Sequence, residues 1–361
     1  MGRPPPTTDV YCLELAGEDD AFAAREAATA ATAVEVVSPG VALARGVRLA
    51  RVRGLAYTRR VGEYVGRTDA SVESARALLA AANLDPGALP VVRTTEGRAS
   101  AGGAGTVAVR ARDVRSTSGV STSAAERALG GVLTDRGFAV DLDDPDHVLR
   151  ALFSDGACYL GWLVAESVRD YGARRPTDRP FFQPGSMDPK DARALANLAG
   201  AEPGARLLDP MCGTGGVLIE AGLVGARVVG ADAQQKMVRG ARRNLRAYLG
   251  DDTRSSAADG PAAFELVRGD ATRLPFRADA FDGVVFDAPY GRQSKVARHD
   301  LADLIAGALA EARRVAPRAV VVADRSWEAA AGEAGWSVDA RFERRVHRSL
   351  VRHVHLLSRE S

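Results

Sequence analysis

From Ala205 to the end of the chain, short apolar runs alternate with longer amphipathic stretches. The runs Arg206–Asp209, Arg227–Asp232 and Phe281–Phe286, with one that closes at Val267-Arg268-Gly269-Asp270, read as buried strands. Helices are predicted from Gly216, Gln234, His299 and Trp327. Strand and helix in alternation argue for a parallel sheet with helices on both faces. The last two apolar segments, Ser337–His347 and Ser349–Ser358, have almost nothing between them, which forces an antiparallel pair. Ahead of the sheet, Asp188 as N-cap, Pro189 at the first position, Asp191 in the first turn and Gly200 at the end specify one helix. Two readings of it stand: a capped helix packed on the sheet, or the anchor of a loop, Phe182 to Ser186, that closes over a cofactor.

The earlier part of the chain has a different pattern. A strand (Val10 to Leu15), an alanine-rich helix from Ala21 and a strand near Glu35–Val37 come first. A helix from Ser71 to Ala82, a strand from Thr106 to Arg112 and a helix from Ser123 follow; Ser123 and Glu126 have the spacing of a capping box. Strands at Ala139–Leu142 and Val148–Phe153 lead to Tyr159-Leu160-Gly161-Trp162, and residues 169–180 are polar and turn-rich. The expected division is 1–60, 61–165, a linker at 166–180, and 181–361.

Composition narrows the class. At 361 residues the chain has room for two or three domains on a scale of about 100–200 residues each. No run approaches the ~18 apolar residues of a membrane span, and the first residues lack a signal-peptide core. Cys12, Cys158 and Cys212 are far apart and odd in number, against a disulfide framework or a zinc cluster. The histidines (147, 299, 347, 353, 355) have no ligand spacing, so no metal is expected. His353 and His355 share a strand face and are read as packed or solvated. These features predict a cytoplasmic protein with no membrane association. Net charge is only +2, but between Arg45 and Arg67 arginines 45, 48, 51, 53, 59, 60 and 67 face one acid, Glu63, a local excess suited to phosphate.

The chemistry gathers at strand ends. Asp209, Asp232, Asp270 and Asp287 close four runs, and in open α/β sheets ligands bind at that edge. Asp209-Pro210-Met211-Cys212-Gly213-Thr214-Gly215-Gly216 is a glycine turn running into a helix, which brings backbone N–H groups to an anion. Asp232 is placed to accept ribose hydroxyls, yet the loop lacks the G-x-G-x-x-G of dinucleotide sites. Phe286-Asp287-Ala288-Pro289-Tyr290-Gly291 offers a carboxylate, a fixed backbone carbonyl and an aromatic ring to a flat substrate bearing an amine.

Asp287-Ala288-Pro289-Tyr290 resembles the Asp/Asn-Pro-Pro-Tyr signature of methyltransferases acting on exocyclic amines of nucleobases. Together with Phe182-Gln183-Pro184-Gly185-Ser186-Met187, the glycine turn and the closing Arg345–Arg352, the chain resembles the archaeal tRNA (guanine-10-N2)-methyltransferase family over nearly its whole length. Glu126–Gly130, Val140–Asp146 and Tyr159–Gly161 are similar to a THUMP domain. The resemblance implies a Rossmann-like methyltransferase, with a mostly parallel seven-stranded sheet and a C-terminal antiparallel hairpin, behind α+β ferredoxin-like and THUMP domains. It implies S-adenosylmethionine (SAM) as cofactor, tRNA as partner, and a monomer that methylates guanosine 10 on N2, in two rounds. Cofactor contacts carried over are Phe182, Gln183, Pro184, Ser186, Asp209, Met211, Cys212, Gly213, Thr214, Gly215, Asp232, Ala233, Asp270 and Ala271. Catalytic contacts are Asp287, Ala288, Pro289 and Tyr290. Where many relatives have Pro, position 288 is Ala, which keeps the backbone carbonyl, and Pro289 restricts it to extended geometry. Arg345, Arg348 and Arg352 approach RNA phosphate or form a solvated strand face. Rival readings are a guanine-N2 enzyme for another tRNA position or rRNA, a DNA adenine-N6 enzyme, and an inactive RNA-binding protein.

Overall fold

The computed structural model describes residues 10–92, 104–250, 264–289, 298–347 and 350–359. The chain divides into two compact units, Met1–Val168 and Arg169–Ser361. In the first unit the strands are β1 (Val10–Leu15), β2 (Ala33–Ser38), β3 (Val41–Arg45), β4 (Thr58–Asp69), β5 (Thr106–Asp113), β6 (Ala139–Val140), β7 (His147–Ser154) and β8 (Ala157–Glu166). Among the described residues they make one sheet in the order β2-β3-β1-β4-β8-β7-β5-β6. Its helices are α1 (Asp20–Ala27), α2 (Leu49–Val52), α3 (Val72–Ala81) and α4 (Thr122–Thr134). The long β4 joins the two halves: Glu63 pairs with Tyr11 of β1 on one edge and with Trp162 of β8 on the other. Residue 60, the expected division, falls inside that strand. Leu79, Leu129, Leu133, Phe153 and Trp162 form the core that α3 and α4 cover.

Two local expectations are corrected here. The N-cap of α4 is Ser121, which accepts from the Ala124 N–H, and not Ser123. The Glu126 carboxylate accepts instead from the Ala111 N–H at 2.9 Å, tying the helix to β5, so there is no capping box. The strand expected to reach Leu142 stops at Val140, because the Asp141 side chain accepts from the N–H groups of Asp143 and Asp144 and turns the chain. One arginine of the local excess, Arg60, has a structural role. Arg60, Arg112 and Arg150 all pair with Glu14, which is buried, and Arg60 also holds Glu166.

The second unit alternates as the pattern predicts: α5 (Pro189–Leu198), β9 (Arg206–Asp209), α6 (Gly216–Leu223), β10 (Arg227–Asp232), α7 (Gln235–Leu249), β11 (Phe264–Arg268), β12 (Gly283–Asp287), α8 (Arg298–Val315), β13 (Arg318–Ala323), α9 (Glu328–Glu333), β14 (Ser337–His347) and β15 (Leu350–Ser358). Among the described residues the sheet order is β11-β10-β9-β12-β13-β15-β14. The first five run parallel; β15 lies antiparallel between β13 and β14. Asp188 caps α5 by accepting from the Lys190 N–H, as its sequence requires.

Residues 169–180, expected as a linker, fold into short turns bound to this unit. Arg174 and Arg193 each place a nitrogen 2.7 Å from the Glu220 carboxylate, and all three residues are buried. Replacing Glu220 by Ala takes the carboxylate from buried Arg193 and leaves Arg174 with Asp170 alone, and lowers the unfolding free energy by about 3–5 kcal/mol. Urea titration reads that loss; a midpoint equal to the wild type contradicts it.

Candidate active site

Strand order reverses at β9, with β10 and β11 on one side and β12 and β13 on the other. Loops leaving a reversal part in opposite directions, so a crevice opens at the carboxyl ends. Asp209, Asp232 and Asp287 are the last residues of β9, β10 and β12, and Asp270 lies just past β11 in a bridge with Arg273.

The cleft holds about 620 Å³, counting the part open to solvent, and it is lined by Gln183, Pro184, Ser186, Asp209, Met211, Cys212, Gly213, Thr214 and Asp287 from the expected set. Met187, Val217 and Met237 add an apolar wall that the motifs did not include. Phe182, Gly215, Asp232, Ala233, Asp270, Ala271, Ala288 and Pro289 are not among its lining residues. Asp232 is joined to it through the Gly213 N–H, which donates to the carboxylate at 3.0 Å; the Gln234 N–H donates to the other oxygen at 2.8 Å. Asp270 accepts from the Thr272 N–H and hydroxyl. Ala288 is buried, with its N–H donated to Val322 of β13. Phe182 is 44% exposed. Tyr290, assigned to stacking, lies outside the described residues.

The loop ahead of α5 is fixed by a residue outside every motif. Asn244, buried in α7, accepts from the Phe181 N–H and donates to the Phe181 and Thr214 carbonyls, at 2.8, 2.8 and 2.9 Å. Ser186 and Thr214 hydroxyls meet at 3.2 Å, closing the loop on the glycine turn. Asn244 sits in a helix of ordinary amphipathic pattern, and no local motif flags it.

Arg352 is likewise reassigned. It is buried on β15, and its Nη2 lies 3.6 Å from Asp287 Oδ2, so it faces the carboxylate instead of forming a solvated face. His355 is also buried; its Nε2 is 3.3 Å from both Ser326 Oγ and the Trp327 N–H, and burial lowers its pKa, in keeping with the packed reading.

Electrostatics mark the floor of the cleft. Burial pushes the Asp209 carboxyl well above its ordinary value; the Met211 N–H bond opposes this, while the fields of Asp232 and Asp287 add to it. Burial raises Asp232 too, against its two backbone N–H bonds. Cys212 is pushed up by burial, so it serves as neutral wall, not as a nucleophile.

A parallel sheet with reversed order, a glycine turn into a helix and acids at the strand ends define a methyltransferase of the α/β class. Residues 176–353 match the family described as RMKL-like, methyltransferase domain. The chain is 37% identical over 249 residues to the tRNA (guanine(10)-N2)-dimethyltransferase of Methanothermobacter thermautotrophicus, covering 66% of this chain and 70% of that protein. To the protein so named from Pyrococcus abyssi it is 32% identical over 259 residues, covering 70% and 74%. The chain belongs to the tRNA (guanine(10)-N2)-dimethyltransferase family. Among solved structures, TrmN from Thermus thermophilus aligns with a TM-score of 0.47 and 22% identity over 97% of this chain and all of that one.

The raised Asp209 carboxyl has a pH consequence. The folded state holds this proton more tightly than the unfolded chain, whose ordinary value is 3.8. The stability it contributes is therefore complete below that value and is lost as pH rises through the folded pKa. Asp209→Asn keeps an acceptor for Met211 and removes the titration. Urea midpoints across pH should show the wild type losing ground to the variant as pH rises; parallel curves would refute the burial argument.

Proposed function

We propose that the chain transfers methyl groups from SAM to N2 of guanosine 10 in tRNA, twice, giving N2,N2-dimethylguanosine. The observation that carries the reading is the meeting, in one cleft, of the glycine turn after β9 and the Asp287 carboxylate at the end of β12.

The residues present fit the cofactor. Gly213 and Gly215 have φ of +51° and +78°, and a Cβ on Gly215 would lie 2.5 Å from Leu245 Cδ1. Only glycine lets the turn take this conformation and pack this close against α7. The N–H groups that open α6 then suit the methionine carboxylate, Asp232 the ribose hydroxyls and Asp270 the adenine amine. Bound there, SAM supplies a methyl on a sulfonium. Guanine N2 is a weak nucleophile because its lone pair is delocalised into the ring. Asp287 and the Ala288 carbonyl accept its two protons in hydrogen bonds, draw the amine toward tetrahedral geometry and aim the lone pair at the methyl. When bound, SAM would give up the methyl and keep the bonding pair on sulfur, and Asp287 would pass the surplus amine proton to solvent. No strong base is needed, since the amine becomes acidic only as it is alkylated. Position 10 is helical in tRNA, so the base is flipped out at a cost of a few kcal/mol, and Tyr290 stacks on it.

The first unit is assigned to tRNA, with residues 1–60 as a ferredoxin-like part and 61–165 as a THUMP part. The segments that carry this likeness, around Glu126 and Tyr159, are built into the unit's helix and sheet. The enzyme is taken to act as a cytoplasmic monomer without a metal. Among the described residues no helix is long and apolar enough to cross a membrane, and no His/Cys/Asp/Glu cluster could hold a metal ion.

Two variants separate the roles. Asp287→Ala removes activity and leaves SAM affinity within about threefold of wild type, whereas Asp232→Ala weakens SAM binding by about tenfold, the scale of a lost charged hydrogen bond. Calorimetric titration decides; equal losses in the two variants would sink the assignment. Mass spectrometry of digested product tRNA should find N2-methyl- and N2,N2-dimethylguanosine. Label in 1-methylguanosine or a 2′-O-methyl nucleoside would overturn the chemistry.

A further inference from the structure

We propose that Arg352, on the closing hairpin, is a positioning residue for methyl transfer: it holds the Asp287 carboxylate in the attitude that receives the substrate amine. This rests on the assignment of Asp287 as acceptor for that amine.

Register explains how a residue two strands away reaches the site. Neighbouring strands lie about 4.8 Å apart, and β13 stands between β12 and β15. But β13 ends at Ala323, opposite His353. Arg352 is the next residue outward, at the carboxyl edge of the parallel strands, so its side chain extends over the end of β13 to Asp287. Side-chain exposure is 7% for Arg352 and 22% for Asp287, which sets the pair apart from a solvated surface contact.

The site needs such a cation. Asp287 shares the cleft with buried Asp209, and the two carboxyls act on each other. When both are ionised they repel, and a carboxylate that swings away from its neighbour also leaves the amine. The Arg352 guanidinium, 3.6 Å from Asp287, opposes that swing. Arg344 adds a second grip. It pairs with Arg352 across the hairpin, and its Nη2 is 3.2 Å from Asp191 Oδ1 in the first turn of α5. That helix follows directly on the loop Gln183–Met187, which forms the opposite wall of the cleft. One hairpin thus braces both walls.

The test uses Arg352→Gln and Arg352→Lys in the full chain, alone and combined with Asp287→Asn. SAM affinity is read by calorimetry, tRNA affinity by filter binding, and the chemical step by single turnover with both saturating. Arg352→Gln should keep both affinities within about twofold and lose about tenfold or more in single-turnover rate, the cost of a misplaced reacting group. Lysine should restore part of the rate. Adding Arg352→Gln to Asp287→Asn should cost no further rate, because the two act as a unit. A wild-type rate in Arg352→Gln, additive losses in the double variant, or tRNA affinity lost by the glutamine variant and recovered by lysine (a phosphate contact) would each overturn the proposal. If the glutamine variant fails to fold, the lysine variant decides: a reduced rate with intact affinities supports the role, and a wild-type rate refutes it. A wild-type chain that binds SAM but leaves tRNA guanosine unmethylated refutes the reaction, not the pair. In that case, non-additive melting temperatures across the same four chains would support the coupling, and additive ones would refute it.

Discussion

The site depends on what happens on the two sides of β9. This strand is only Arg206–Asp209, and its middle residues, Leu207 and Leu208, are fully buried. Leu208 pairs with Val229 on one side and Val284 on the other, both in parallel. Parallel neighbours end on the same edge, so three carboxylates finish side by side above an apolar core. Water cannot solvate all of them there. Burial first, and the fields of its neighbours after it, raise the Asp209 carboxyl, and the three acids are met by the N–H groups of Met211, Gly213 and Gln234 and by the Arg352 guanidinium.

The hairpin supplies what the parallel strands cannot. A parallel strand reaches the catalytic edge with its last residue and then leaves in a loop. An antiparallel strand begins at that edge, so β15 delivers a side chain from a residue paired with β14 and adjacent to His353, which pairs with β13. Arg352 thereby approaches Asp287 from rigid structure. The glycine turn and the loop ahead of α5 close the other side by local contacts, with Asn244 as the tie between them.

Much of this was legible in the chain. Strand–helix alternation, the capped α5 and the final hairpin follow from periodicity and capping, which are local. The acids at the strand ends could be named because each closes an apolar run. What could not be read were relations between distant residues. Nothing near Arg352 marks it as a partner for Asp287, since its role comes from β13 stopping one residue short of it. Asn244 is hidden by the same rule, serving a loop some 60 positions back. In the first unit, the capping-box spacing at Ser123 was satisfied on paper, yet tertiary contact with β5 took Glu126. Arg60, counted in the local arginine excess, joins Arg112 and Arg150 on one buried acid, Glu14, a relation that no local count contains.

The placement of β4 also governs how the first unit comes into being. One edge of this strand meets β1, which precedes it by a few dozen residues, and the other meets β8, which the ribosome delivers much later. During synthesis the nascent strand therefore carries an open row of N–H and C=O groups until Ala157–Glu166 emerge. Pairings so distant in sequence are slow to form. The sheet is complete only once β8 has emerged, and until then the free edge of β4 is a site for aggregation.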